Sequence, residues 1–248
     1  MTRLFHVSDV HFGREDRAAI DWFGARVKEE QPDAVIMTGD LTMRARHGEF
    51  EAAAKWLQSL GRPVTVEVGN HDLPYFNPWA RFVTPYKRYR ALEHMIERPL
   101  DVKGVAVVPL KTTARFQWRL NWSKGYVSNR ALQESLALVE AVPKGGLVFV
   151  ACHHPLVEGG TRMTSETHRG PEALGALAAA GAHAVLTGHV HDPFDVEREL
   201  DGHKVRLIGA GTLSERVRAQ PPSFNEITVE GASFSTRARF LGEASVLL

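Results

Sequence analysis

The residues with the most chemistry to offer fall in five short groups. They are Asp9 with His11; Asp40 after Gly39; Asn70, His71 and Asp72 after Gly69; His153 and His154 before Pro155; and His189 with His191 after Gly188. Carboxylates, an amide oxygen and imidazoles are hard and borderline metal ligands. No thiolate stands among them, which suits Mn, Fe or Zn rather than a structural zinc knot. The i, i+2 spacing of Asp9 with His11, and of His189 with His191, puts each pair on one side of an extended chain, where it could share one ion. These are more ligands than one ion needs, and two ions bridged by one carboxylate would use them all. Such a pair, ~3.5–4 Å apart, generates a hydroxide at neutral pH and clamps the attacking and leaving oxygens of a phosphoryl displacement. Taken singly, each group has a plainer reading. Asp9-x-His11 would be a chance surface pair, Asp40 a turn cap, and Asn70 to Asp72 a polar turn after a core strand.

What lifts the groups together is that each follows a predicted strand. Leu4 to Ser8 precedes Asp9, Ala34 to Met37 precedes Asp40, and Val64 to Val68 precedes Asn70; Leu147 to Cys152 precedes His153, and Ala184 to Leu186 precedes His189. Helical periodicity over Asp16 to Glu30 and His47 to Leu60 makes the first three a βαβαβ run, which favours parallel strands and right-handed crossovers. In such sheets ligands bind beyond the carboxyl ends of the strands. Further helices are predicted from Ser128 or Asn129 to Glu140 and from Glu172 to Ala180, and a strand over Val105 to Leu110. After Asp192 the pattern changes to Phe194–Leu200, Lys204–Ile208, Phe224–Val229 and Phe234–Phe240, joined by turns, which predicts an antiparallel meander. The stretch from Leu73 to Asp101 mixes aromatic and basic residues, among them Tyr75, Phe76, Trp79, Arg81, Tyr86, Arg88 and Tyr89. It reads equally as a base or anion contact and as a packed amphipathic surface. Lys111 to Tyr126, with Gln117, Trp118, Asn121 and Trp122, reads as a loop over the site.

The chain has 248 residues, 44% hydrophobic and 24% charged, with 12 histidines and a formal net charge of +1. That length suits one α/β domain over residues 1–248, and no internal repeat or linker divides it. The near-neutral balance implies no general pull toward nucleic acid or anionic membrane, so any anion affinity must be local. A single cysteine, Cys152, excludes an intrachain disulfide and suits a reducing cytosol; within Val148 to Cys152 it is expected to pack as a small hydrophobe. No apolar leader precedes Leu4, and no run of about 18 apolar residues could span a bilayer. A soluble, cytoplasmic protein is expected.

In order, Asp9-x-His11, Gly39-Asp40, Gly69-Asn70-His71-Asp72, His153-His154-Pro155 and Gly188-His189-x-His191 resemble the calcineurin-like metallophosphoesterase superfamily. Within it the chain is most similar to the bacterial class III cyclic-nucleotide and glycerophosphodiester phosphodiesterases. The resemblance runs from residue 4 to the Ser223-Phe224-Asn225 strand. It implies a four-layer αββα sandwich: two mixed β-sheets face to face, helices outside, metals at one end. It also implies that Asp9, His11, Asp40 and His191 hold one ion and that Asp40, Asn70, His153 and His189 hold the second, with Asp40 bridging. His71 would contact the phosphate and protonate the leaving alkoxide, Asp72 would orient His71, and His154 would stay outside the ligand shell. The activity implied is hydrolysis of a small phosphodiester by in-line attack of a metal-bound hydroxide.

Several alternatives stay open. The substrate could be a monoester, a nucleic-acid end, or a sugar-nucleotide pyrophosphate of the UDP-diacylglucosamine type, although a nuclease would want a basic track. Some relatives, such as the retromer subunit, keep the fold as a non-catalytic scaffold after losing ligands, whereas here every ligand position is filled. Arg115, Arg119, Arg162, His168, Arg216 and Arg218 are candidate substrate contacts. A homodimer could form through an edge strand of the C-terminal meander.

Overall fold

Alternation along the N-terminal strand sets the layering of the molecule. In β1 (Thr2–Val7), Leu4 faces one core and Phe5 and Val7 face another, because successive side chains of a strand point to opposite faces. A computed structural model describes residues 1–74, 77–96, 100, 102–114, 123–165 and 167–243. In it β1 pairs in parallel with β2 (Ala34–Met37), and β2 in parallel with β3 (Val64–Val66). On the other side of β1, β9 (Ser223–Glu230) and β10 (Ser233–Phe240) add antiparallel, giving a five-stranded sheet of order β10-β9-β1-β2-β3.

The second five-stranded sheet has the order β4-β5-β6-β8-β7. Its parallel strands are β4 (Val105–Pro109), β5 (Leu147–Ala151), β6 (Ala184–Thr187) and β8 (His203–Gly209), with β7 (Phe194–Leu200) antiparallel at the edge. Leu4, Ile36, Phe149, Leu186, Ile208 and Ile227 fill the space between the sheets. The other faces are covered by helices. α1 (Arg17–Glu30), α2 (His47–Ser59) and α4 (Lys87–Ile96) pack on the first sheet, and α5 (Asn129–Glu140) and α6 (Gly170–Ala180) on the second. This is the expected αββα sandwich of two mixed sheets.

The helix ends follow local rules. Asp16 caps α1 by accepting from the Ala19 amide at 3.1 Å, and Ser128 rather than Asn129 caps α5 in the same way through Ala131. α6 begins two residues before Glu172, at Gly170, with a proline in its first turn.

The predicted single meander is wrong in its pairing. The four strands exist, but they form two hairpins in different sheets, β7–β8 in one and β9–β10 in the other. Turn signals identify a hairpin, whereas the sheet that each hairpin joins depends on long-range pairing. β3 also stops at Val66, so Val68 and Gly69 already belong to the loop.

The aromatic and basic stretch resolves into α3 (Pro78–Val83) and α4. Tyr89 is buried and gives its hydroxyl to the Val66 carbonyl at 2.6 Å, and Arg88 reaches the Ala45 carbonyl at 2.5 Å. Trp79 stays 77% exposed. Among the described residues of this stretch, Arg81, Tyr89, Leu92 and Ile96 are buried, whereas Trp79, Phe82, Val83 and Met95 remain exposed. Tyr75 and Phe76, and all of 115–122 with Arg115, Gln117, Trp118, Arg119, Asn121 and Trp122, lie outside the described residues. Cys152 is buried as expected, and burial holds its thiol well above the usual range. Among the described residues, no helix is long and apolar enough to cross a membrane.

Candidate metal centre

All five groups singled out in the sequence meet at one end of the sandwich, where the parallel strands of both sheets finish. Asp9 and His11 follow β1, Asp40 follows β2, Asn70 and His71 lie beyond β3, His153 follows β5, and His189 and His191 follow β6. The backbone there is bent hard. Asp9, His11, Asp40, His189 and His191 all take positive φ, between 51° and 71°. Left-handed backbone costs a non-glycine residue about 1–3 kcal/mol and persists only where the surroundings over-determine it.

Hydrogen bonds across the two sheets hold the loops together. The His189 amide donates to Asp9 Oδ2 at 2.8 Å, His153 Nδ1 lies 2.8 Å from the Thr38 carbonyl, and the Thr212 hydroxyl donates to the Asp9 carbonyl at 2.6 Å. Close approach around the site demands glycine at several points, 69 and 188 among them. A Cβ on Gly69 would overlap the Asp40 carboxylate and amide, and one on Gly188 would overlap the Ser8 and Asp9 side chains. Glycine at 69 is thus required by contact with Asp40.

Each carboxylate divides its oxygens. Asp40 Oδ1 accepts from the His71 amide at 2.8 Å, while Oδ2 lies 3.7 Å from His11 Nε2 and 3.4 Å from His153 Nε2. Asp9 Oδ1 lies 3.0 Å from His191 Nε2 and 3.6 Å from His11 Nε2, and the two Nε2 atoms are 3.2 Å apart. Asn70 Oδ1 stands 3.1 Å from His153 Nε2. Ligands about 2.0–2.2 Å from a shared ion sit about 3–3.5 Å from one another, so these spacings suit coordination.

The imidazole tautomers agree. His153 gives Nδ1–H to the Thr38 carbonyl, and His191 gives its own to the Arg216 carbonyl at 2.7 Å, which leaves both Nε2 lone pairs facing the carboxylates. His11 lacks such a tether; its Nδ1 is buried without a partner. Asp9 Oδ1 is likewise buried and accepts no hydrogen bond. Lone pairs confronting one another this closely in a dry interior repel unless a cation lies between them. The donor set therefore fits metal ions. Ligand atoms of Asp9, His11 and His191, of Asp9, Asp40 and His153, and of His153, His154 and His189 each cluster within 4.8 Å.

His154 is engaged elsewhere. Its Nδ1 accepts from the Thr112 hydroxyl at 3.0 Å and its Nε2 donates to the Ser123 carbonyl at 3.1 Å, so neither ring nitrogen is available. Electrostatics follow from burial and proximity. Burial alone would raise the Asp9 and Asp40 carboxyls, but the surrounding imidazoles hold both below the usual range. Burial alone would lower His153, yet Asp40 brings it up to about 9, so a proton and a metal ion compete for the same Nε2 lone pair facing Asp40. Burial and His153 push His189 down to about 3.

The expectation that Asp72 orients His71 takes an indirect form. The His71 ring is held by its Nδ1 on the Met43 carbonyl at 2.8 Å, not by Asp72. The Asp72 carboxylate instead accepts from the amides of Leu41, Thr42 and Gly69, at 2.9–3.3 Å, and from the Thr42 hydroxyl. It ties the loop after β2 to the loop after β3, and so sets Asp40, Asn70 and His71 relative to one another. Burial and the Asp40 charge raise its carboxyl to about 6. The sequence reading passes over Thr42, although a hydroxyl two residues after Asp40 at a strand end was a usable signal. A cavity of about 340 Å³ opens over Asp40, Asn70, His71, His189 and His191, rimmed by Ser123, Lys124, Ser165, Arg216 and Arg218. Of the other suggested substrate contacts, Arg162 and His168 are exposed and do not line this cavity, and Arg115 and Arg119 fall outside the described residues.

A family model described as calcineurin-like phosphoesterase matches residues 2–193. The chain belongs to the calcineurin-like phosphoesterase family. That family implies a pair of divalent ions and phosphoester hydrolysis, in keeping with the clustered donors. Among curated proteins, the chain is similar to a component of the SbcCD nuclease of Staphylococcus saprophyticus. The match is 26% identical over 233 residues and covers 83% of this chain but only 61% of that protein's length. Among solved structures, a dimetal phosphatase from Danio rerio superposes with a TM-score of 0.70 at 14% identity, covering 96% of each chain. Purple acid phosphatase PPD1 from yellow lupin gives a TM-score of 0.68 at 12% identity, over 96% of this chain and 51% of its own. At such identities these structures speak to the phosphoesterase-family fold alone.

Proposed function

We propose that this protein is a metal-dependent phosphodiesterase acting on a small substrate of the cyclic-nucleotide or glycerophosphodiester kind. The observation that carries the reading is the meeting of seven ligand-type side chains, Asp9, His11, Asp40, Asn70, His153, His189 and His191, beneath a cavity of about 340 Å³. That volume suits a nucleotide-sized molecule. When bound, two ions would supply a hydroxide at neutral pH and neutralise the phosphoryl oxygens. Asp9, His11, Asp40 and His191 would hold one, and Asp40, Asn70, His153 and His189 the other. His71, which lines the cavity and points Nε2 away from its Met43 tether, would give a proton to the leaving alkoxide. Asp72 would keep the two loops in register.

A second reading has one observation in its favour, the similarity to a protein named as part of a nuclease. The diester would then lie in a nucleic-acid strand, against which the net charge of +1 offers no broad basic track. Hydrolysis of bis-p-nitrophenyl phosphate and p-nitrophenyl phosphate, after chelation and re-addition of Mn²⁺, tests the main reading. Metal-dependent activity favouring the diester is expected. Preference for the monoester would make the protein a phosphatase, and inactivity with every metal would favour a scaffold. A labelled oligonucleotide in the same assay separates nuclease from small-molecule diesterase.

A further inference from the structure

The rim of the metal cavity carries more positive charge than a simple phosphodiester can answer. Two divalent ions held by two carboxylates leave an excess of two positive charges, which a water-derived nucleophile and the single charge of a diester cancel. Arg216 and Arg218 are additional to that balance, and among the described residues lining the cavity Asp40 is the only acid. Glu215, the one carboxylate between Ser214 and Arg218, pairs with Arg14 at 3.4 Å and is turned to the outside.

Geometry places Arg216 at the reacting end. Its Nη1 lies 3.3 Å from His11 Nε2 and 3.2 Å from His71 Nε2, and its own carbonyl anchors His191. An imidazole nitrogen has one lone pair. Once His11 Nε2 binds an ion it cannot also accept from Arg216, and once His71 Nε2 carries the proton it would deliver it cannot accept either, so the guanidinium is left to an oxygen acceptor in the cavity. Arg218 stands two residues on, with Nη2 at 3.9 Å from Met163 Sδ, and takes part in no ion pair among the described residues. Ser165, only 5% exposed, lines the same side and keeps a hydroxyl without a partner. The loop is built to stay put: the Ala219 amide donates to Asp192 Oδ1 at 3.0 Å, and the Arg216 amide to Ser214 Oγ at 3.3 Å.

From this arrangement we propose that Arg216 and Arg218, with Lys124 and the Ser165 hydroxyl, form a subsite for a second phosphate. The preferred substrate then carries a phosphate group beside the phosphodiester that is cleaved. Planar guanidinium forks match phosphate oxygens two at a time, which is the chemistry that distinguishes a dianionic group from a neutral hydroxyl. The inference rests on the phosphodiesterase reading for what the metals do, but not for the existence of the subsite.

The test is calorimetric. Thymidine 3′,5′-bisphosphate and thymidine 5′-monophosphate are titrated into the metal-loaded protein, with Arg218→Ala and Arg216→Ala alongside and bis-p-nitrophenyl phosphate hydrolysis run in parallel. Arg218 is exposed and touches no ligand, so its variant keeps the fold even if Arg216→Ala does not. The bisphosphate is expected to bind at least ~10-fold tighter than the monophosphate, with that advantage falling toward unity in the arginine variants. Equal affinities in the unaltered protein, or an advantage that survives both substitutions, would overturn the subsite. Loss of diester hydrolysis alone would sink the phosphodiesterase reading instead, and the two failures are read from different columns of data.

Discussion

His71 gives the residue scale its sharpest consequence. Its Nδ1 is committed to the Met43 carbonyl at 2.8 Å, so only Nε2 can exchange a proton with a substrate in the cavity. An alkoxide is a poor leaving group and p-nitrophenolate a good one. His71→Ala is therefore expected to lower kcat for a cyclic nucleotide or glycerophosphodiester by about 10²–10⁴-fold, the usual worth of positioned acid catalysis. The loss on bis-p-nitrophenyl phosphate should be far smaller. Equal losses on both substrates would remove the acid from the mechanism and leave His71 a binding residue. The ligand-type character of these side chains was legible in the sequence, because it is a property of side-chain type. How Asp72 would orient His71 was not legible, since the resemblance names the role but not the partners, and the bend after β3 turns the carboxylate toward Leu41, Thr42 and Gly69.

At the scale of the elements, the site is a product of where strands end. Five of the ligand-type residues hold left-handed backbone, and Gly69 and Gly188 permit contacts between loops that bring those residues into range. A methyl group at Gly69 or Gly188 must displace the Asp40 or Asp9 carboxylate. Gly69→Ala and Gly188→Ala are each expected to lose at least one bound ion per chain by elemental analysis and at least ~10²-fold in activity, with circular dichroism close to that of the parent. A variant that keeps both ions would show that the loops can give way. Strand-to-glycine-to-ligand grammar is local, so it could be read without a structure. The pairing of the four C-terminal strands could not, because turn signals mark each hairpin but not the distant strand that it joins.

For the whole molecule, His6 is the group to watch. It sits between the sheets, with Nε2 at 3.0 Å from the Thr38 hydroxyl and Nδ1 at 3.3 Å from the Asn225 amide, and Asn225 in turn reaches the Gly209 carbonyl of the other sheet at 2.9 Å. Burial lowers His6 to about 3 from an ordinary 6.5. Between those values the unfolded chain binds a proton that the folded one refuses. Stability from this group is whole above pH 6.5 and drains away as pH falls toward 3, at up to about 1.4 kcal/mol per pH unit. His6→Gln removes the titration while keeping a donor and an acceptor. Its stability, followed by denaturant unfolding of the metal-loaded protein, should fall less steeply than the parent's between pH 6.5 and 4.5. Parallel slopes would mean that His6 is protonated without cost.

The sequence by itself determined the order of the motifs and the strand ends that carry them, because residue chemistry and period-2 alternation act over a few residues. Tertiary structure alone decided that the loops of two separate sheets share one centre, through His189 on Asp9 and His153 on Thr38. It also decided that Arg216, 25 positions beyond His191, reaches the centre of the site. Those contacts exist only once Leu4, Ile36, Phe149 and Leu186 have packed the sheets face to face. No short-range pattern encodes a distance that the burial of that shared core creates.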